Sequence, residues 1–268
     1  VETCYLHPDR ETGVACSNCG RPICPDCMTT TSVGMRCPEC ARQRTRVTRA
    51  GGRATEPVLT YVLIGINVAV ALGGFLSGAS ATGGGSLQSH LLTDGAVSRA
   101  TIADGEYWRL LTAGFLHAGL FHLFFNMFAL YILGTLLEPA IGRLRFGLIY
   151  FAALLAGSFG ALLIDRGPTV GASGAIFGLM GAALVVMRSR GISPLESGLG
   201  VWLGLNLLIT FTVPNISIGG HIGGLVGGTL AALLLFDVRE RLRIPGVVPA
   251  LLVVAIAAAS VAGSIAVS

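Results

Sequence analysis

Lysine does not occur once in these 268 residues, and all 18 basic side chains are Arg. Alongside abundant Ala, Gly and Val, this reads as the codon bias of a GC-rich, bacterial genome and gives no sign of nucleic-acid binding. Charge of either sign is scarce. Only 12% of residues are charged and 53% are hydrophobic, whereas an ordinary soluble domain carries about a quarter charged residues. That imbalance excludes a soluble core and puts most of the chain in a membrane. Cysteine is missing after Cys40, so metal or thiol chemistry is confined to the head of the chain. Residue 1 is Val, so an initiator end is expected to be trimmed or absent. The first apolar stretch starts near Val58, too late for a cleavable signal peptide, and none is expected.

What is present divides in two. The seven cysteines and one histidine of the head read Cys4-x2-His7, Cys16-x2-Cys19, Cys24-x2-Cys27 and Cys37-x2-Cys40. Eight ligands in four such knuckles suit two tetrahedral Zn2+ ions. A disulfide cluster would need an oxidising compartment and would leave one cysteine over. Residues 1–41 are too few for a core of their own, so metal binding is expected to supply most of their folding energy. Pairing the first knuckle with the third and the second with the fourth gives a cross-brace resembling B-box-type fingers; sequential pairing is the other arrangement. Residues 42–57 form a linker carrying Arg42, Arg44, Arg46, Arg49 and Arg53 with Gly51, Gly52 and Pro57. It reads as a solvated connector that also meets anionic headgroups.

Seven apolar stretches follow, near Val58–Leu76, Leu110–Leu137, Phe146–Ile164, Val170–Met187, Ser197–Val213, Ser217–Phe236 and Val247–Val267, none with an Asp, Glu or Arg inside. Backbone groups in lipid must be satisfied within the segment, so each stretch is expected to be a helix. The fourth and fifth are short and expected to be tilted little or packed centrally. The connection from Ser77 to Arg109 is expected to fold on or partly into the membrane. With the N-terminus inside, the inner side takes twelve arginines (five in the linker, then Arg143, Arg145, Arg188, Arg190, Arg239, Arg241 and Arg243), against Arg99, Arg109 and Arg166 outside. The rule that positive charge stays inside therefore predicts a cytosolic head and an outer C-terminus in a multi-pass protein of the plasma membrane. A cytosolic head also keeps its thiols reduced.

Polar groups at membrane depth are costly and mark function by default. Ser173 lies in Gly171-Ala-Ser-Gly-Ala-Ile-Phe-Gly178, His221 in Gly219-Gly-His-Ile-Gly-Gly224, and the second stretch carries His117, His122 and Asn126. Ser173 and His221 both fall within a turn or two of the outer end of their spans, where water can reach. His122 and Asn126, four apart, share one helical face. A metal site for the three histidines lacks ligands, since no Asp, Glu or Cys sits at the same depth. Gly174, Gly178 and Gly181 in the fourth stretch and Gly220, Gly224 and Gly228 in the sixth recur at spacings that let helices pack backbone to backbone. That packing would bring the hydroxyl to the imidazole. With no acidic residue in the spans to orient His221, the expectation is a dyad, not a triad.

Gly-x-Ser-Gly, His-x2-Gly-x3-Gly and His-x4-His-x3-Asn together resemble the motifs of the rhomboid family of intramembrane serine proteases, and Trp108-Arg109 is similar to the family's Trp-Arg pair. The likeness covers residues 58–237. It implies an all-α polytopic fold with a six-helix core, to which residues 244–268 add a seventh helix. It implies a serine endopeptidase acting on transmembrane segments of membrane proteins, with Ser173 as nucleophile, His221 as base, and His122 and Asn126 as oxyanion donors. Trp108, Arg109, Glu138, Gly171, Gly174, Gly224 and Gly228 carry over as supporting residues, and His117 as a hydrogen-bonding brace. Catalysis would need no cofactor. The expected partners are transmembrane-helix substrates, membrane lipid and a protein partner for the zinc finger. Two other classes compete: a catalytically silent relative that binds membrane clients, and a small-solute transporter. The transporter is disfavoured because no internal repeat is visible.

Overall fold

The computed structural model describes residues 2–31, 34–42, 56–78 and 90–268. The chain divides into two compact units, Val1–Arg53 and Ala54–Ser268. Of the expected linker arginines, Arg42 closes a helix, while Arg44, Arg46, Arg49 and Arg53 lie outside the described residues.

The head is a set of short turns tied by two hairpins. Strand β1 (Glu2–Cys4) pairs antiparallel with β2 (His7–Thr12), and β3 (Thr29–Thr31) with β4 (Gly34–Arg36); helix α1 (Pro38–Arg42) follows. Its interior is mostly sulfur. Buried Cys4, Cys16, Cys24, Cys27, Cys37 and Cys40 surround one fully buried aliphatic side chain, Ile23. An interior this small leaves the fold dependent on what the thiols bind.

The second unit is a helical bundle. Helix α2 (Val58–Leu76) opens it. Three short helices, α3 (His90–Gly95), α4 (Arg99–Ala103) and α5 (Arg109–Thr112), then lead through a 3-10 turn (Ala113–Phe115) to α6 (Leu120–Ile141) and α7 (Arg143–Ile164). Then come α8 (Ser173–Ser189), α9 (Leu199–Thr212), α10 (Ile218–Leu233), α11 (Arg239–Leu242) and α12 (Val247–Ala266), with one π-helical stretch at Leu234–Val238 joining α10 to α11. Among the described residues, α2, α6, α7, α12 and the continuous run Ile218–Leu242 are long and apolar enough to cross a membrane; α8 and α9 are apolar but shorter.

Two expectations need correction. The second apolar stretch is not one helix from Leu110 to Leu137. Gly119 has φ 124°, a conformation that L side chains rarely adopt, so the chain turns there and α6 begins only at Leu120, leaving His117 outside the helix. The same helix runs past Leu137 to Ile141 and includes Glu138. That carboxylate is fully buried and accepts hydrogen bonds from the Leu59 N–H (2.9 Å), the Thr60 N–H (2.7 Å) and the Thr60 hydroxyl (2.7 Å). It caps the N-terminus of α2 from a neighbouring helix, where free N–H groups and the positive end of the dipole favour an anion. The second correction concerns the short helices. Helix α8 is central, with eleven buried residues, but α9 is peripheral: Val201, Leu205, Leu208 and Phe211 are all exposed on it.

The glycine pattern explains the bundle's centre. A Cβ on Gly224 would run into the Gly174 carbonyl, and one on Gly228 into the Gly178 backbone, so α8 and α10 touch backbone to backbone as the spacing predicts. The opposite side of α10 does the same with α7. Gly219 and Gly223 abut Gly160 and the Ala156 carbonyl, and Gly227 abuts the Ala156 side chain. Helix α10 is therefore clamped between two neighbours, and its His221 has little freedom to shift. The segment before α6 is tied down by Arg109, which donates to the carbonyls of Thr93 (2.6 Å) and Ala96 (3.2 Å) and pairs with Glu106 at 2.5 Å.

Candidate active site and metal centres

Ser173 is the first residue of α8, and His221 lies one turn into α10. The close approach of those helices leaves the Ser173 Oγ 2.8 Å from the His221 Nε2. Two further contacts hold the imidazole. Phe177, one turn after Ser173 on the same face, stacks on it with ring centroids 4.2 Å apart and planes inclined by 19°. Thr210 on α9 brings its Oγ1 to 2.7 Å from Nδ1. The N-terminus of α10 is itself fixed: Ser217 accepts from the Gly220 N–H at 2.9 Å, and Asp165 accepts from the Ser217 hydroxyl and from the Gly219 N–H at 3.2 Å. Neither Asp165, Phe177 nor Thr210 was expected at the site. Phe177 was findable, being four residues from Ser173. Thr210 reaches His221, and Asp165 reaches the start of α10, only through tertiary packing.

The space in front of Ser173 is set by Gly171. Its φ is 127°, its N–H donates to the Ala113 carbonyl at 2.8 Å, and a Cβ there would lie 2.8 Å from both Cε1 and Nε2 of His122 and 3.7 Å from the Ser173 Oγ. The missing side chain leaves room for the His122 ring beside Gly171, two residues before Ser173. The Ala118 N–H donates to the His122 Nδ1 at 3.3 Å, which leaves the proton on Nε2, the atom facing Gly171. Asn126 is buried one turn farther along the same face of α6. Because Ser173 opens α8, the first N–H groups of that helix have no partner within it and point toward the same space. A cavity of about 30 Å³, lined by Gly114, Ser158, Gly171, Ser173, Ser217 and Gly220 among others, adjoins it and has room for about one water.

The remaining expectations divide. His117 is buried beside the site: its ring lies 5.0 Å from the His122 ring, and its polar neighbour is the Phe115 backbone. Arg109 and Glu138 hold loops and helix ends, as described above. Trp108 is 57% exposed and does not join the site.

In the head, the two ligand groups are Cys4, His7, Cys24, Cys27 and Cys16, Cys19, Cys37, Cys40, the cross-braced pairing, with ligand atoms in each group within 4.8 Å of one another. All seven cysteines are free. Zinc with Zn–S bonds near 2.3 Å gives a tetrahedron with edges of about 3.8 Å. The Cys19–Cys37 sulfurs at 3.9 Å and the His7 Nδ1 at 3.9, 3.4 and 3.2 Å from the sulfurs of Cys4, Cys24 and Cys27 fit that size. The backbone N–H of Cys37 donates to the Cys16 sulfur at 3.3 Å and takes that thiol down to about 6, so it is readily a thiolate, the form that binds metal. The donor set therefore fits two metal ions.

Comparison with known proteins bears on the second unit. A family model described as the Rhomboid domain matches residues 104–238. The chain is 40% identical over 183 residues to rhomboid protease GluP of Bacillus subtilis (strain 168), which covers 67% of this chain and 35% of that protein. It is 33% identical over 157 residues to the human Rhomboid-related protein 3, covering 52% and 39%. It is also 36% identical over 135 residues to Inactive RHOMBOID-like protein 8 of Arabidopsis thaliana, covering 48% and 38%. The chain thus spans about a third to two fifths of the length of these relatives.

Proposed function

Because the chain belongs to the rhomboid family and is a multi-pass membrane protein, we propose that it is an intramembrane serine endopeptidase working through a Ser173–His221 dyad. The observation that carries this reading is the 2.8 Å contact between the Ser173 Oγ and the His221 Nε2. A serine hydroxyl is a weak nucleophile until a base takes its proton. His221 Nε2 accepts that proton as Oγ bonds to the substrate carbonyl carbon. The carbonyl π pair moves onto oxygen. On collapse the C–N bond breaks, and the leaving amine takes the proton from His221. Water then attacks the acyl-Ser173 ester, giving its proton to His221, and release of the acid restores the hydroxyl.

The oxyanion would lie against the N-terminus of α8, within reach of the Ser173 N–H and the His122 and Asn126 side chains. Each donor of this kind typically lowers the barrier by roughly 2.7–4 kcal/mol. Gly171 provides the room in which His122 can meet the substrate. The substrate is a transmembrane helix with small or helix-weakening residues near its outer end, since only a locally unwound strand exposes a carbonyl for attack. Arginine placement supports a cytosolic head and an active site near the outer face. The head is proposed to hold two structural Zn2+ ions through the eight ligands named above and to recruit or regulate through a protein partner, taking no part in cleavage.

A silent, client-binding relative is the other reading, and one similar protein is named as inactive. Against it stand a hydroxyl and an imidazole in direct contact. Comparing the membrane proteome of cells carrying the wild type with that of cells carrying Ser173→Ala decides between them. Protease function predicts shortened membrane proteins present only with the wild type; identical fragment patterns with normal expression of both would favour the silent reading.

A further inference from the structure

We infer that Thr210 is the positioning residue that keeps His221 in the tautomer able to act as base, a role that rests on the Ser173–His221 assignment. The Thr210 hydroxyl is 1% exposed as a residue and lies between two groups: the Asn206 carbonyl of its own helix at 2.7 Å and the His221 Nδ1 at 2.7 Å. It has one proton to give. The carbonyl can only accept, so it takes that proton, and the hydroxyl oxygen is left to accept from Nδ1–H. The reverse assignment, Thr210 donating to Nδ1, leaves the carbonyl contact without a proton. Counting protons therefore puts hydrogen on Nδ1 and a lone pair on Nε2, facing the Ser173 hydroxyl.

The choice of residue follows from the surroundings. A carboxylate would orient the imidazole more strongly, but at membrane depth its own desolvation would have to be met. A back-bonded threonine supplies direction without charge: its hydroxyl proton is already committed to the helix, so the oxygen faces His221 only as an acceptor. With Phe177 on the ring face and Ser173 at Nε2, Thr210 supplies the third contact that fixes the ring. It also ties the base to α9, the least buried helix around the site.

The test uses the full chain in detergent and two readings. The first is the 15N spectrum of the His221 side chain in unreacted enzyme, with His221→Ala to assign it. Wild type is expected in the Nδ1–H form, and Thr210→Val, which removes the acceptor at nearly constant volume, is expected to shift population to Nε2–H. The second is the rate of labelling by a fluorophosphonate. Thr210→Val is expected to lower the maximal labelling rate roughly 10- to 100-fold, the size of one hydrogen bond to a group that becomes charged, with the half-saturating probe concentration unchanged. Thr210→Ser should restore both readings. An unchanged His221 tautomer in Thr210→Val overturns the inference whatever the labelling shows, as does a labelling rate equal to wild type. Failure of the dyad is separate: it appears as labelling that persists in Ser173→Ala, while the tautomer still judges Thr210. If Val at 210 prevents folding, Thr210→Cys, a weaker acceptor of similar size, is read in the same way.

Discussion

A hydroxyl in an apolar helix gains nothing from being there unless its proton can leave, and the charge it creates can be met by donors already in place. At Ser173 both conditions rest on single atoms: the His221 Nε2 at 2.8 Å, and the His122 Nε2–H held toward Gly171 by the Ala118 N–H on the opposite nitrogen. Asn126, buried one turn later on α6, is the second proposed side-chain donor. Asn126→Ala is expected to reduce turnover of a transmembrane substrate by at most about two orders of magnitude, because the helix N–H and His122 remain. A change confined to apparent affinity, with turnover untouched, would make Asn126 a binding residue instead. Ser173, His221, His122 and Asn126 were all legible in the sequence because ionisable or polar side chains are conspicuous in apolar runs. Thr210 was not. A threonine in an apolar helix is ordinarily satisfied by its own backbone, and that bond is indeed present here; only the fold shows that a second partner sits against the same oxygen.

At the scale of helices, hydropathy located the seven apolar helices among the described residues but misplaced the bounds of α6 and did not register that α9 is peripheral. The run from Leu110 reads as continuous because an average over side chains does not register the backbone reversal at Gly119. It stopped short at Leu137 because a carboxylate looks like an end. Glu138 is tolerated inside the helix since its oxygens are met by donors from the start of α2. The glycines of α8 and α10 were read correctly as a close contact. The second contact, of α10 with α7, escaped because Gly157 and Gly160 carry no motif of their own. This clamp makes a clear prediction. Gly224→Val inserts a side chain against the Gly174 carbonyl and is expected to separate Ser173 from His221, abolishing labelling by a serine-directed probe in protein that still inserts in membranes. Gly65→Ala on α2, where a Cβ meets nothing within 4 Å, should leave labelling at wild-type level and stabilise its helix by up to about 1 kcal/mol. Equal labelling in Gly224→Val and wild type would show that the contact does not set the catalytic distance.

At the scale of the molecule, two units with different physics share one chain. The bundle is held by apolar burial and close helix packing, whereas the head has almost nothing inside but sulfur. Four knuckles at the same spacing made the candidate ligands legible but left two pairings open, of which the structure brings together the cross-braced one. Metal analysis of the purified chain is expected to give two Zn per molecule, and chelation should unfold the head while a chain starting near Arg53 still reacts with a fluorophosphonate. A folded but inert truncated core would tie the head to catalysis after all.

The central claim is that His221 activates Ser173, and mapping a fluorophosphonate adduct by peptide mass spectrometry on the full chain addresses it most directly. The account predicts a single phosphonylated residue, Ser173, in the wild type. It also predicts that His221→Ala, expressed and folded to the same level, carries no adduct at Ser173 over the same exposure. Modification of a different serine, or of Ser173 at an undiminished rate without His221, would contradict it.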